Sequence, residues 1–248
     1  MIIIKNEREI EAMKEACRIS AGALKVAGEA VEPGVTTAEI DKLAYDYIKS
    51  QGAEPNFLGY GGFPGTACIS INDEIIHGIP GHRKIKNGDI VSIDLGAKIG
   101  GYNGDNAATF AAGDISDEAK RLMEATKQSL YEGIKMAVAG NRIGDISYAV
   151  QQYVEARGYS VVREYVGHGV GASLHEEPEV PNFGRPSHGP RLIPGMTLAI
   201  EPMVNFGGPE VKVLKDKWTV VTKDGSLSAH FEHSVLITSD GPVILTQP

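Results

Sequence analysis

Cysteine is almost absent from this chain: Cys17 and Cys68 are the only two in 248 residues. Two thiols so far apart make neither a disulfide framework nor a CxxC metal site, and they agree with a reducing compartment. Long apolar runs are absent as well. The N-terminal one ends at Ile4, before Lys5, Glu7 and Arg8, far short of a signal-peptide core or a membrane span. A cytoplasmic protein that does not engage membranes is expected. Positive charge is in deficit, with 24 Lys and Arg against 32 Asp and Glu, net −8. That balance disfavours a general nucleic-acid-binding surface and direct DNA binding.

Several signatures are incomplete or missing. Gly167-x-Gly169-x-Gly171 lacks the spacing of a dinucleotide fingerprint, and no Walker sequence occurs. His175-Glu176 is followed by Glu179 where an HExxH zincin needs a second histidine, and there is no Gly-x-Ser-x-Gly elbow. Cys68 reads as a small apolar residue rather than a nucleophile. Composition is otherwise that of a globular protein, 42% hydrophobic and 23% charged, which excludes wholesale disorder and a coiled-coil architecture. Glycine is in excess, 30 residues, and concentrates in 59–65, 96–104 and 167–171, where loops between strands can build a site.

The helical signals come in pairs. Asn6-x-x-Glu9 is a capping pair before Ile10, Met13, Cys17, Ala21 and Leu24, and Pro33-Gly34 stops that run. Thr36-x-x-Glu39 caps a second helix striped by Ile40, Leu43, Tyr47 and Ile48, ending near Gly52. The order returns with a helix from about Asp117 to Val138, Gly140, and a helix carrying Ile146, Val150, Tyr153 and Val154, ending at Gly158. At an offset of 106 residues Gly34 meets Gly140, Ile40 meets Ile146 and Gly52 meets Gly158; at 107, Gly88–Asp94 meets Gly195–Glu201. A diverged duplication accounts for this drift. The chain therefore reads as one catalytic domain, 1–248, with pseudo-equivalent halves of about 1–112 and 113–248. Its class is α+β, with helices outside antiparallel strands. The two acidic strands should face each other across a pseudo-twofold axis.

Asp94 ends the strand-like run Ile90-Val-Ser-Ile, Glu201 ends Leu198-Ala-Ile, and Glu232 precedes Val235-Leu-Ile237. Asp is a poor strand former, and burying an ionised carboxylate costs several kcal/mol unless a cation compensates it. No Lys or Arg lies within these segments. With Asp105 and His168 as neighbours, the set is oxygen-rich with one imidazole, suited to Mn, Fe(II), Co or Zn. Four carboxylates balance two divalent ions, which favours a dinuclear site with bridging carboxylates.

These residues resemble the methionine aminopeptidase family, in its short bacterial type I form with the pita-bread fold. The resemblance rests on Asn72-Asp-Glu-Ile-Ile-His77-Gly-Ile-Pro80, Asp94-Leu-Gly, Gly167-His168-Gly-Val-Gly-x-x-x-His175-Glu-Glu-Pro178, Glu201-Pro202-Met and Glu232-His-Ser, and it spans nearly the whole chain. It implies that Asp94 chelates one ion, His168 and Glu201 the other, and that Asp105 and Glu232 bridge both. It implies that His175 lies near the scissile carbonyl, His77 near the peptide nitrogen, and Tyr60, Phe63, Cys68 and Trp218 around the methionine side chain. The implied reaction is removal of the initiator methionine before a small second residue: a water acidified between the ions attacks the first peptide bond, with Glu201 as proton shuttle. Nascent polypeptide N-termini are the implied partners, with ribosome docking and a monomeric state as further expectations. Leu174 and Phe57 depart from some relatives and bear on pocket shape. His82, His188 and His230 read as turn residues satisfied by backbone, and His233 should point away from the acids.

Prolidases and aminopeptidase P share the Gly-His-Gly and His-Glu-x-Pro elements, but resemble this fold preceded by an extra N-terminal domain. Type II methionine aminopeptidases carry an insertion for which 248 residues leave no room. A metal-free pita-bread binding module would have lost ligands, whereas all five positions are filled here.

Overall fold

Asn6 and Glu9 form a reciprocal capping box at 2.8 and 3.1 Å and open α1 (Glu7–Glu29). Thr36 and Glu39 do the same at 2.8 and 3.2 Å for α2 (Thr37–Ser50), each such cap being worth about 1 kcal/mol. Ser116 caps α3 (Asp117–Lys135), and Arg142 with Asp145 opens α4 (Ile143–Glu155). The third helix stops three residues before Val138, because its end tightens into i→i−3 bonds from Met136 and Ala137 to Gly133 and Ile134. Leu43 is exposed, contrary to the expected stripe; Ala44, four residues after Ile40, occupies the inward position instead. The computed structural model describes residues 1–247.

The strands of the first half are β1 (Glu54–Pro55), β2 (Ala67–Ile71), β3 (Glu74–Ile76), β4 (Ile90–Ile99) and β5 (Tyr102–Ala111). Those of the second are β6 (Ser160–Val161), β7 (Gly167–Gly169), β8 (Glu176–Val180), β9 (Thr197–Ile200), β10 (Met203–Asn205), β11 (Val211–Val213), β12 (Val220–Thr222), β13 (Ser228–His230), β14 (Glu232–Thr238) and β15 (Gly241–Ile244). Nine of them form one antiparallel sheet along the path β1-β4-β5-β14-β9-β7-β8, with β2 on β4 and β15 on β14. The halves meet edge to edge, since β5 pairs directly with β14. Two three-stranded sheets, β13-β10-β6 and β11-β12-β3, flank it.

Helices α1 and α2 cover β2 and β4 through Ile19, Ile40, Ile48, Ile69, Ile71, Ile93 and Leu95. Leu130 and Ile134 of α3 and Ile143 and Ile146 of α4 pack on Leu198, Ile200, Val235 and Ile237 in the second half. Each fully buried Leu or Ile contributes about 1.5–3 kcal/mol. The first helix lies directly on the β5 backbone because residue 104 is glycine: a Cβ there would meet the backbone of Ala16 and Cys17 at 2.6 Å. That approach seals the outer side of β5 at the position next to Asp105. No helix among the described residues is long and apolar enough to cross a membrane.

Candidate metal centre and active site

Strand register brings the acids together. Asp94 on β4 and Glu232 on β14 both oppose Ala107 of β5, and Asp105 lies two residues from Ala107 on the same strand. Directly opposed residues share a face, as do residues two apart, so the three carboxylates emerge on one side of the sheet. Ile200 pairs with His233, which sets Glu201 beside Glu232, and His168 opposes Ala199, two residues before Glu201. Ligand atoms of Asp105, His168 and Glu232 all lie within 4.8 Å of one another. His168 Nε2 is 3.7 Å from Asp105 Oδ2 and 3.5 Å from Glu201 Oε1. His233 points to the opposite face, where its Nδ1 meets Thr246 Oγ1 at 2.9 Å and its ring lies beside Tyr131.

The acids have no partner of the other sign. Asp94 Oδ1, Asp105 Oδ1 and Glu232 Oε1 are buried and without a hydrogen bond. Burial pushes the Asp94 carboxyl up to about 7. Burial and the charges of the neighbouring acids push Asp105, Glu201 and Glu232 well above the usual carboxylate range. Burial, with the nearby His175, holds the His168 imidazole down to about 4, so it is neutral and a competent ligand. Unpaired buried oxygens and a neutral imidazole facing one space have the donor chemistry of a site for hard or borderline divalent cations.

These groups form one end of a chamber of about 190 Å³. Its other walls are Tyr60, Phe63, Cys68, His77, His175 and Trp218, so every side chain expected to bind metal or substrate lines the same space. Phe57 and Leu174 line it too. His175 Nδ1 is 2.7 Å from the Tyr60 hydroxyl, and its ring sits edge-on to His168 at 4.2 Å. With Tyr60 donating to Nδ1, Nε2 carries the proton and remains free to donate. His77 holds φ +59°, a left-handed conformation uncommon outside glycine, immediately after β3. Burial holds its imidazole down to about 4, and its ring packs edge-on against Tyr165 and Trp218 at 5.7 and 6.2 Å. Phe63 meets Trp218 edge-on at 5.2 Å.

Ile76, Tyr165 and Val166 line the chamber without having been singled out. Their adjacency to His77 and Gly167-His168 was the available signal. The reading of His230 as a turn residue is corrected. It closes strand β13, is fully buried, and neither ring nitrogen has a hydrogen-bonding partner. It is invisible in sequence because the strand is only three residues long.

The methionine aminopeptidase of Clostridium acetobutylicum is 56% identical over 247 residues, covering 99% of each chain. The crystal structure of the methionine aminopeptidase from Thermotoga maritima is similar with TM-score 0.99 and 46% identity, over the full length of both chains. The prolidase of Pyrococcus horikoshii matches all of this chain but 64% of its own, at TM-score 0.81 and 25% identity. The fold is therefore the pita-bread fold shared by these enzymes. The model of metallopeptidase family M24 matches residues 11–239, taking in all five clustered ligand-type side chains, and the chain belongs to that family.

Proposed function

We propose that this chain is a methionine aminopeptidase in which Asp94, Asp105, His168, Glu201 and Glu232 hold two divalent ions, Co, Mn, Fe(II) or Zn. The observation that carries the ligand set is the trio of buried, partnerless carboxylate oxygens beside a neutral imidazole. Asp94 would serve one ion, His168 and Glu201 the other, and Asp105 and Glu232 would be available to both. When bound, the ions lower the pKa of water and polarise a carbonyl. The chain's residues do the rest. Glu201 takes the proton released as water adds to the first peptide carbonyl, and delivers it to the leaving nitrogen as the C–N bond breaks. His175, oriented by Tyr60, donates from Nε2 to the carbonyl oxygen, and His77 lies near the peptide nitrogen. Phe63, Cys68 and Trp218, with Tyr60 at the mouth, enclose the methionine side chain. On this reading the chain is a single catalytic domain that acts as a cytoplasmic monomer on nascent N-termini, docking where they leave the ribosome.

The direct test is metal analysis beside cleavage of Met-Gly-Met-type peptides. A thioether-shaped pocket discriminates a methylene by only about 1–3 kcal/mol, so norleucine should be tolerated in place of methionine. Among Met-Ala, Met-Lys, Leu-Ala and Ala-Pro peptides at one metal concentration, Met-Ala should be cleaved fastest, Met-Lys poorly and Ala-Pro hardly at all. Preferred cleavage of Ala-Pro would move the activity to the prolidase side of the fold.

The pH dependence of the metal-free protein is a second test. Carboxyls whose folded pKa is raised stabilise the fold while protonated, and that stability is lost as pH rises through the folded value. For Asp94 this loss runs from the ordinary carboxylate range up to about 7, and burial with the neighbouring acids' charges shifts the other three carboxyls in the same direction. The buried histidines, held down in the fold, add an opposing gain that is complete above the ordinary imidazole value of about 6.5, so they do not mask the loss beyond it. The melting temperature of chelator-treated protein is expected to fall from pH 6.5 to 7.5, and the gain on adding Mn(II) to grow over the same range. A metal-free protein that becomes more stable across that window would contradict the assignment.

A further inference from the structure

His230 is a buried histidine with no evident purpose in packing. Its backbone is clamped by the Thr109 hydroxyl, which accepts the His230 N–H and donates to its carbonyl oxygen, both at 2.9 Å. Both ring nitrogens are buried and unpaired, which costs about 1–3 kcal/mol that an aliphatic side chain would not incur. The polar atom facing Nε2 is Glu201 Oε2, at 3.8 Å. The other oxygen of the same carboxylate, Oε1, faces His168 Nε2 at 3.5 Å. Glu201 thus lies between two imidazoles: His168 lines the chamber and His230 does not.

We propose that His230 is a positioning residue that donates its Nε2 proton to Oε2 of Glu201 from behind, holding Oε1 toward His168 and the chamber. A carboxylate oxygen offers only lone pairs, so the nitrogen facing it must carry the ring proton for the contact to be attractive. The gap exceeds a usual N–H···O separation by about 0.9 Å, which a small rotation of the Glu201 side chain closes. A neutral donor suits this place better than Lys or Arg would. It orients the carboxylate without cancelling the charge that holds the cations. The inference rests on the reading of Glu201 as ligand and proton carrier.

The test compares wild type, His230→Leu and His230→Gln by three measurements: Mn(II) affinity of the stripped protein by calorimetry, kcat and KM on a Met-Ala peptide at saturating Mn(II), and melting temperature. His230→Leu is expected to weaken Mn(II) binding or lower kcat by about 10- to 100-fold, the usual cost of removing the partner that orients a metal ligand. KM should stay within about twofold, since His230 does not line the chamber. His230→Gln, whose amide N–H can reach the same oxygen, should recover most of the loss. The proposal is overturned if folded His230→Leu matches wild type in affinity and kcat, or if His230→Gln is as impaired as His230→Leu while both melt normally. Should His230→Leu not fold, His230→Gln decides alone: near-wild-type affinity and turnover support the donor, and a tenfold loss in either overturns it. Wild type that binds no Mn(II) would remove the metal-site reading and this inference with it. Wild type that binds and cleaves, with both variants equal to it, removes this inference only.

Discussion

Asp105→Asn is expected to reduce kcat/KM by at least about 10³, because the several kcal/mol of charge stabilisation that bound cations supply converts at 1.36 kcal/mol per tenfold. Asp105 is 3% exposed, its Oδ1 has no partner, and its Oδ2 faces His168. An amide keeps its shape, removes one negative charge and turns N–H donors toward the place a cation would occupy. Metal content measured on the purified variant should fall with the activity. The stripped variant should also melt higher than stripped wild type at pH 8, since a buried carboxyl that resists ionisation has been replaced by a neutral group. Near-wild-type turnover with full metal content would end the ligand assignment. Lost activity with full metal content would instead assign Asp105 a role in chemistry alone.

The second large effect separates two histidines whose rings lie 4.2 Å apart. His175→Ala should lower kcat by about 10² to 10³ with metal content unchanged, the usual consequence of deleting one donor to a developing oxyanion. Tyr60→Phe should reproduce part of that loss, because the 2.7 Å bond to Nδ1 sets the tautomer that leaves Nε2 a donor. His168→Ala should lose metal as well as activity. The two can be told apart on one preparation each, by metal analysis and by single-turnover rates at saturating Mn(II). Equal metal loss in both variants would mean that their roles have been divided wrongly.

Much of this protein is legible in its sequence. Asn6 with Glu9 and Thr36 with Glu39 announce two helices because a capping box is a local device, complete within four residues. Asp94 stands out because the residues before it are strand formers and it is not, an anomaly of composition that needs no partner to be seen. The motifs around His77, His168, His175, Glu201 and Glu232 pointed to the family, and the chamber holds all of them. Local patterning served less well where contacts decide. Leu43 fits the helical period of α2 and is nevertheless exposed. His230 reads as a turn residue in sequence because a three-residue strand leaves no alternation to detect.

The sequence by itself determined the helix starts, the acidic strands and the identities of the cluster. Each depends on residues near one another in the chain, where caps and side-chain alternation act. The tertiary structure alone decided which face those acids share. That depends on β5 meeting β14 with Glu232 against Ala107, a pairing across 125 positions in which a one-residue slip would turn Glu232 outward and His233 inward. It also decided that both halves belong to one continuous sheet and that Glu201 has an imidazole on each side. Register over such distances is set by the packing of whole faces, Gly104 under α1 and Thr109 clamping His230 among them, and no local window of sequence contains it.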